Sequence, residues 1–139
     1  MIVVDTGGLY AALDANEELH AACVAALASA KPPRFLSPFV LAELDYLIGA
    51  RVGHAAQLAL LDEVVRGVYQ LEAFSPDDVA QATRIMERYE DLHIGLADAS
   101  VVVLAMRHRT YDLLCTDQRH FRALHGPRGK PFRLLPADA

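Results

Sequence analysis

Two aspartates follow short apolar runs of the chain. Asp5 comes directly after residues 2–4 (IVV), and Asp117 comes two positions after residues 113–115 (LLC). Short apolar runs that stop at polar residues are typical of buried parallel strands. Because ligands of open α/β sheets gather at the carboxyl ends of the strands, both carboxylates are expected at one edge of a sheet.

A third aspartate, Asp98, lies in the first turn of a predicted helix over residues 96–106. Only Asp98 and Ser100 are not apolar between Ala97 and Met106, so the helix is expected to be packed on all faces. In such a place an ionised carboxylate is costly unless it is paired or binds a metal, and no Lys or Arg lies within one turn of it. The alternative is that Asp98 only interacts with the positive end of the helix dipole.

A fourth acidic side chain is expected on the helix that begins at Ser37-Pro38 and carries Glu43 and Asp45. These two acids flank opposite edges of its apolar face, so their spacing does not choose between them. Several carboxylates directed into one cleft repel one another and have raised pKa values until a cation enters. Ligand sets made only of oxygen suit Mg²⁺ or Mn²⁺, whose usual partner is a phosphate. The four acids therefore predict metal-assisted attack of water on a phosphodiester.

The elements that position these acids alternate along the chain. Strands are predicted at residues 2–4, 34–36, 68–71, 113–115 and 132–135. Helices are predicted at residues 9–13, 17–30, 37–49, 54–66, 75–89, 96–106 and 119–124, and Gly7-Gly8 is interpreted as a turn. This alternation predicts an α/β sandwich with a central, mostly parallel sheet flanked by helices. The length and the 53% hydrophobic content fit one domain over residues 1–139.

Composition excludes several classes of protein. No apolar run is long enough to cross a bilayer, and the first residues do not resemble a signal peptide. Cys23 and Cys115 have no second pair of Cys or His residues with which to complete a zinc site. Both are interpreted as reduced core residues, which favours a cytoplasmic protein with no membrane partner.

Charge is distributed unevenly along the chain. The net charge of −5 argues against a protein that coats nucleic acid passively. Residues 1–106 hold fifteen of the eighteen acidic residues, whereas residues 107–133 hold seven of the thirteen Lys and Arg residues. This basic segment either contacts a polyanion or is a solvated surface that binds nothing.

Motifs of other enzyme classes are absent. Gly7-Gly8 lacks the glycine spacing of a dinucleotide-binding fold, and there is neither a phosphate-binding loop with Gly-Lys-Ser/Thr nor a Gly-x-Ser-x-Gly elbow. An aspartyl-phosphate phosphatase would need a second Asp where this chain has Gly7. The six histidines contain no His-x-x-x-His pair and are interpreted as packing or surface residues. Ser100 and Thr116 are interpreted as hydroxyls that cap a helix or support the site.

Four segments, taken in order, resemble the PIN-domain ribonucleases and are most similar to the VapC toxins of toxin-antitoxin pairs. They are Asp5-Thr6 after a strand, residues 41–44 (LAEL), residues 96–99 (LADA) and residues 116–121 (TDQRHF). The resemblance covers essentially the whole chain. It implies a PIN-like three-layer sandwich with about five short strands between helices.

The resemblance also assigns the site. The family's metal-binding acids match Asp5, Glu43, Asp98 and Asp117. This selects Glu43 over Asp45, and Thr6 and Thr116 match positions that commonly hold a hydroxyl near the metal. The three aspartates would hold Mg²⁺ or Mn²⁺ directly, with Glu43 as a further ligand or a base that positions water.

The activity implied by the resemblance is that of a metal-dependent endoribonuclease toxin, in which water activated by the metal cleaves an RNA phosphodiester. Arg119 and Arg122 are candidates for contact with the RNA backbone. The helices over residues 9–30 and 40–66 would offer a groove to a cognate antitoxin and contribute to a homodimer. In the family an Arg of the antitoxin often reaches into the acidic site.

Two alternatives use the same acids differently. A metal-dependent phosphatase or DNA nuclease would cleave a small phosphoester or DNA as readily as RNA. A catalytically inactive PIN-like module would bind RNA or a partner protein, and its acids would only cap helices. The second alternative predicts that removing Asp98 changes stability and abolishes no cleavage.

Overall fold

A five-stranded parallel sheet forms the centre of the computed structural model, which describes all 139 residues. Its strands are β1 (Ile2–Val4), β2 (Arg34–Leu36), β3 (Gln70–Leu71), β4 (Asp112–Leu114) and β5 (Arg133–Leu135). They lie in the order β3-β2-β1-β4-β5, and every neighbouring pair is parallel. The predicted α/β architecture with about five short strands is confirmed.

Seven α-helices flank the sheet. They are α1 (Thr6–Leu13), α2 (His20–Ser29), α3 (Pro38–Arg51), α4 (His54–Val65), α5 (Pro76–Arg88), α6 (Leu96–His108) and α7 (Gln118–Ala123). Two short 3-10 helices, Glu90–Leu92 and Pro127–Gly129, lie in connecting segments. Helix α1 packs against α2 and α3, α3 also packs against α4 and α6, and α5 packs against α6. None of these helices combines the length and the apolar character needed to cross a membrane.

Helix α6 lies in the core, as its apolar sequence predicts. Residues 99–105 are all buried, and the helix continues to His108, two residues beyond the prediction. Close packing on every side prevents such a helix from rotating, so the core sets the position of Asp98 in its first turn. Cys23 and Cys115 are also buried, and both are unpaired.

The chain reverses its direction across the sheet between β1 and β4, at the edge formed by the carboxyl ends of these strands. From β1 the chain moves outward to β2 and β3, and it then returns to place β4 on the other side of β1. Connections that leave in opposite directions open a crevice at the carboxyl ends of such strands, where α/β proteins bind ligands. Asp5 lies at this edge, because its backbone N–H donates a hydrogen bond to the carbonyl of Leu114 (2.9 Å).

The turn predicted at Gly7-Gly8 is wrong, because α1 begins at Thr6, directly after β1. Both glycines lie in the first turn of the helix. A Cβ atom at Gly8 would overlap the carbonyl group of Leu114, and one at Gly7 would lie 2.5 Å from Oγ1 of Thr116. The glycines therefore allow a helix to approach a strand closely and do not reverse the chain.

Other boundaries differ from the predictions by a few residues. Helix α2 begins at His20, because Glu17 forms a turn with the preceding residues. Helix α3 continues two residues past Gly49, where a Cβ atom would clash with the side chain of Gln57 in α4. This glycine therefore marks a helix contact and not a helix end. Strands β3 and β5 are shorter than predicted.

Candidate metal centre

Four acidic side chains from four parts of the chain meet at the crevice between β1 and β4. They are Asp5 after β1, Glu43 in α3, Asp98 in the first turn of α6 and Asp117 before α7, here named the acidic cluster. The charges of Asp98 and Glu43 act on Asp5. Those of Asp117 and Glu43 act on Asp98. The fold thus makes neighbours of four acids that are far apart in sequence.

Asp5 is the only charged residue that is buried, with 4% of its surface exposed. Its Oδ1 atom has no hydrogen-bond partner. Burial, followed by the negative charges of Asp98 and Glu43, raises the pKa of this carboxyl from 3.8 to about 7. The backbone N–H groups of Thr6 and Gly7 oppose this rise. A buried oxygen without a partner is nevertheless costly, so Asp5 is a group that a bound cation would stabilise.

Glu43 is held beside Asp5 by the first residue of α1. Oγ1 of Thr6 donates a hydrogen bond to Oε1 of Glu43 (2.8 Å). Asp45 is engaged elsewhere, because the Nε2 amide of Gln57 in α4 donates a hydrogen bond to its Oδ1 atom (3.1 Å). The structure therefore brings Glu43 to the acidic cluster and directs Asp45 to α4, which decides between the two acids that their spacing left open.

Asp98 and Asp117 form the other half of the acidic cluster. Asp98 is largely buried, and burial, with the charges of Asp117 and Glu43, raises its pKa against the opposing effect of His120. Asp117 is the N-cap of α7, where its Oδ1 atom accepts the backbone N–H of His120 (3.2 Å). Its Oδ2 atom makes no backbone hydrogen bond and lies 2.8 Å from Nδ1 of His120.

His120 belongs to the same site, and the sequence interpretation missed it. Its Nδ1 atom lies 2.8 Å from Oδ2 of Asp117 and 3.4 Å from Oδ2 of Asp98. The six histidines form no His-x-x-x-His pair along the sequence, so none of them was predicted as a ligand. The available signal was the position of His120 three residues after Asp117, which brings the two side chains together once Asp117 caps a helix.

Two comparisons with known proteins cover nearly all of the chain. The family profile described as PIN domain matches residues 2–126. Ribonuclease VapC26 of Mycobacterium tuberculosis is 43% identical over 135 residues, which are 97% of this chain and 100% of that protein. The chain belongs to the VapC group of PIN-domain proteins.

Solved structures share the fold of this PIN domain. VapC20 of Mycobacterium tuberculosis, a toxin that cleaves the sarcin-ricin loop, matches with a TM-score of 0.80 and 24% identity over 86% of this chain and 92% of that chain. VapBC2 of Rickettsia felis, bound to a DNA fragment from its promoter, matches with a TM-score of 0.67 and 18% identity over 96% of this chain and 98% of that chain. At these identities the likeness shows the fold alone.

The three hydroxyls expected to support the site lie in different places in the PIN domain. Thr6 binds Glu43, and Oγ1 of Thr116 lies against the first turn of α1. The buried hydroxyl of Ser100 instead contacts Oγ of Ser37 (2.6 Å) and donates to the backbone carbonyl of its own helix. Ser100 therefore makes no hydrogen bond with the acidic cluster and joins α6 to the start of α3.

Much of the positive charge near the carboxyl end of the PIN domain is already paired. Arg107 lies 3.5 Å from Glu72, and Arg133 lies 3.2 Å from Asp112. Arg122 binds Asp138 through both terminal nitrogens (2.7 and 2.6 Å), which raises the pKa of its guanidinium. Among the Lys and Arg residues of segment 107–133, those without a salt bridge are Arg109, Arg119, Arg128 and Lys130.

Proposed function

We propose that this PIN domain, acting as one unit over residues 1–139, is a metal-dependent endoribonuclease and the toxin of a toxin-antitoxin pair. The observation that carries the proposal is the buried Oδ1 atom of Asp5, which has no partner and faces further carboxylates. A proton or a cation would stabilise such an arrangement. The 43% identity to a protein named as a ribonuclease supports RNA as the substrate.

The donor set fits a hard divalent cation. Asp5, Asp98 and Asp117 would hold Mg²⁺ or Mn²⁺ with carboxylate oxygens, which both ions prefer. When bound, the ion supplies charge stabilisation for a phosphate and lowers the pKa of a coordinated water. The orphaned oxygen of Asp5 and the raised pKa of Asp98 both support this assignment.

Glu43 is suited to receive the proton from the attacking water. Its side chain reaches the solvent side of the acidic cluster, and Thr6 holds its Oε1 atom in place. Its Oε2 atom makes no hydrogen bond within the chain, so it is available to orient a water and to accept its proton.

Arg119 is the better candidate for contact with the RNA backbone. It is exposed in the first turn of α7, two residues after Asp117, and it makes no salt bridge. Arg122 of the same helix is already bound to Asp138. A single-stranded or looped RNA segment whose phosphate lies at the cluster would pass next to Arg119.

A cognate antitoxin is proposed to bind the apolar surface next to Glu43. A cavity of about 560 Å³ on α3 is lined by Ala42, Glu43, Tyr46 and Leu47. Tyr46 is 74% exposed there, and Val65 at the end of α4 is 85% exposed. An amphipathic segment that filled this cavity could extend a cation to the acidic cluster and block it, and the exposed residues of α4 are available for a homodimer.

The proposal is tested by incubating cellular RNA with the purified chain in Mg²⁺, in Mn²⁺ or in a chelator. Cleavage is expected to need the metal and to disappear in Asp98→Asn. It should persist in Asp45→Asn, a matched control whose acid faces α4. The same incubations with DNA and with a small phosphate monoester test the nuclease and phosphatase alternatives. If RNA stays intact with native protein refolded free of any partner, the chain is an inactive binding module.

A further inference from the structure

His120 places a buried nitrogen atom between two carboxylates of the acidic cluster. Its Nδ1 atom lies 2.8 Å from Asp117 and 3.4 Å from Asp98, and one ligand atom from each of the three side chains lies within 4.8 Å of the others. This Nδ1 atom has no well-aligned hydrogen-bond partner. Its contacts with the two carboxylates lack well-aligned hydrogen bonds, so the atom is available to a cation.

The local structure holds the imidazole in this position. The backbone N–H of His120 donates to Oδ1 of Asp117, and the next side chain, Phe121, is fully buried in the core. Helix α7 is therefore anchored at both residues. The ring faces the cluster as a consequence of how the helix begins.

The separations suit ligands of one octahedral ion. Neighbouring ligands around Mg²⁺ or Mn²⁺ are about 3 Å apart, because the ion lies about 2.1 Å from each. The two distances from Nδ1 are close to this value. A second observation points to a cation in the acidic cluster, since the Oδ1 atom of Asp5, almost wholly buried, has no hydrogen-bond partner.

We propose that His120 is a nitrogen ligand of the ion held by Asp98 and Asp117, and that it makes the site favour Mn²⁺ over Mg²⁺. Imidazole nitrogen binds transition-metal ions well, whereas Mg²⁺ prefers oxygen. This inference rests on the proposed metal-dependent function and adds a residue outside the four acids. It assigns His120 a role in metal choice, in addition to any effect on rate.

The direct test is pulsed electron paramagnetic resonance of Mn²⁺ bound to the native chain. A nitrogen ligand modulates the Mn²⁺ echo, and the modulation changes when histidine is labelled with ¹⁵N. The native protein is expected to show histidine nitrogen coupling. His120→Ala should lose it, while His54→Gln, which changes an exposed histidine at the start of α4, should keep it.

Metal affinity provides a second readout that does not depend on RNA. Calorimetric titration of His120→Ala is expected to show Mn²⁺ binding weakened about tenfold, the lower end of the effect of residues that support a metal site, with a smaller loss for Mg²⁺. In His120→Asn an amide atom takes the place of Nδ1, so part of the affinity should return without the histidine coupling. Circular dichroism verifies that each variant is folded.

The outcomes separate this inference from the proposed function. If the native chain binds Mn²⁺ and cleaves RNA without histidine coupling, the nuclease stands and the ligand role of His120 is overturned. If His120→Ala binds Mn²⁺ more tightly, His120 is a cation that competes with the metal, and the inference is again overturned. If the native chain binds no Mn²⁺ and cleaves no RNA, the proposed function and the inference both fail.

Discussion

The hydroxyl of Thr6 donates a hydrogen bond to Glu43, and this bond joins the first turn of α1 to the middle of α3. Thr6 is buried directly beside Asp5 at the end of β1, whereas Glu43 is exposed. A flexible side chain at the solvent boundary is thus fixed by a donor that the sheet itself positions. This contact therefore fixes the direction of Glu43 on α3.

Replacing Thr6 by Val is expected to lower the rate of RNA cleavage about tenfold, the size of effect seen when a supporting residue at a metal site is removed. The substitution keeps the shape of the side chain and removes the donor to Glu43, so the unfolding free energy should change by only about 1 kcal/mol. Thr6→Ser retains the hydroxyl and should retain the activity. Equal cleavage rates for Thr6→Val and the native chain would show that Glu43 acts without the hydrogen bond from Thr6.

The stability of the metal-free chain is expected to fall as pH rises from about 4 to about 7. The pKa of Asp5 is about 7 in the folded chain and 3.8 ordinarily, so across this range the folded state binds the proton more tightly than the unfolded state. The raised pKa of Asp98 acts in the same direction. Carboxyls with lowered pKa values, such as Asp78 and Asp138, change their contribution to the stability of the fold only at more acidic pH.

Asp5→Asn tests this origin of the pH dependence. The variant should be more stable than the native chain at pH 8 in chelator, by at most about 4 kcal/mol, because one pKa unit corresponds to about 1.4 kcal/mol. Urea unfolding at pH 5 and pH 8 measures the difference. Mn²⁺ should stabilise the native chain at pH 8 and have little effect on the variant. A native chain equally stable at both pH values would contradict the assignment.

The Ser37–Ser100 contact is expected to stabilise the arrangement of α3 and α6. Because Ser100 donates to the carbonyl of Ala97, the hydroxyl of Ser37 donates to Ser100 and accepts the N–H of Phe39. Ser100→Ala should lower the unfolding free energy by about 1–2 kcal/mol. Ser37→Ala should cost about 1 kcal/mol more, since it also removes the N-cap of α3. A double-mutant cycle measures the coupling, and additive effects would mean that the two hydroxyls act independently.

The glycines of α1 give a prediction about packing. Gly8→Ala should destabilise the chain by about 2–3 kcal/mol, because its Cβ atom would meet backbone atoms of β4 that cannot move easily. Gly7→Ala meets only the hydroxyl of Thr116, so adding Thr116→Ala should restore most of the lost stability. Gly95→Ala is the control, since open space surrounds that position. Thermal unfolding compares the four variants with the native chain. If Thr116→Ala fails to restore the stability of Gly7→Ala, the Gly7 variant is strained by something other than the Thr116 hydroxyl.

The sequence by itself determined the α/β architecture, the burial of α6 and the acids at the strand ends. Each follows from a local pattern: short apolar runs between helices, the apolar residues on every side of α6, and Asp5 and Asp117 placed just beyond two strands. Such patterns are readable because alternation and helical periodicity depend on neighbouring residues. The resemblance to PIN-domain ribonucleases then selected Glu43 from the same segments.

Only the tertiary structure decided which side chains share the site. Gln57 of α4 donates a hydrogen bond to Asp45, which holds that acid outside the cluster. Asp117 caps α7 and so brings His120 into the cluster. Asp138, near the end of the chain, binds Arg122. Gly7-Gly8 lies in a helix that passes close to β4, a contact that the local sequence does not show. These outcomes depend on partners distant in sequence. Local propensity is a weak guide wherever a close tertiary contact or a buried charge contributes more free energy than the propensity of the residues does.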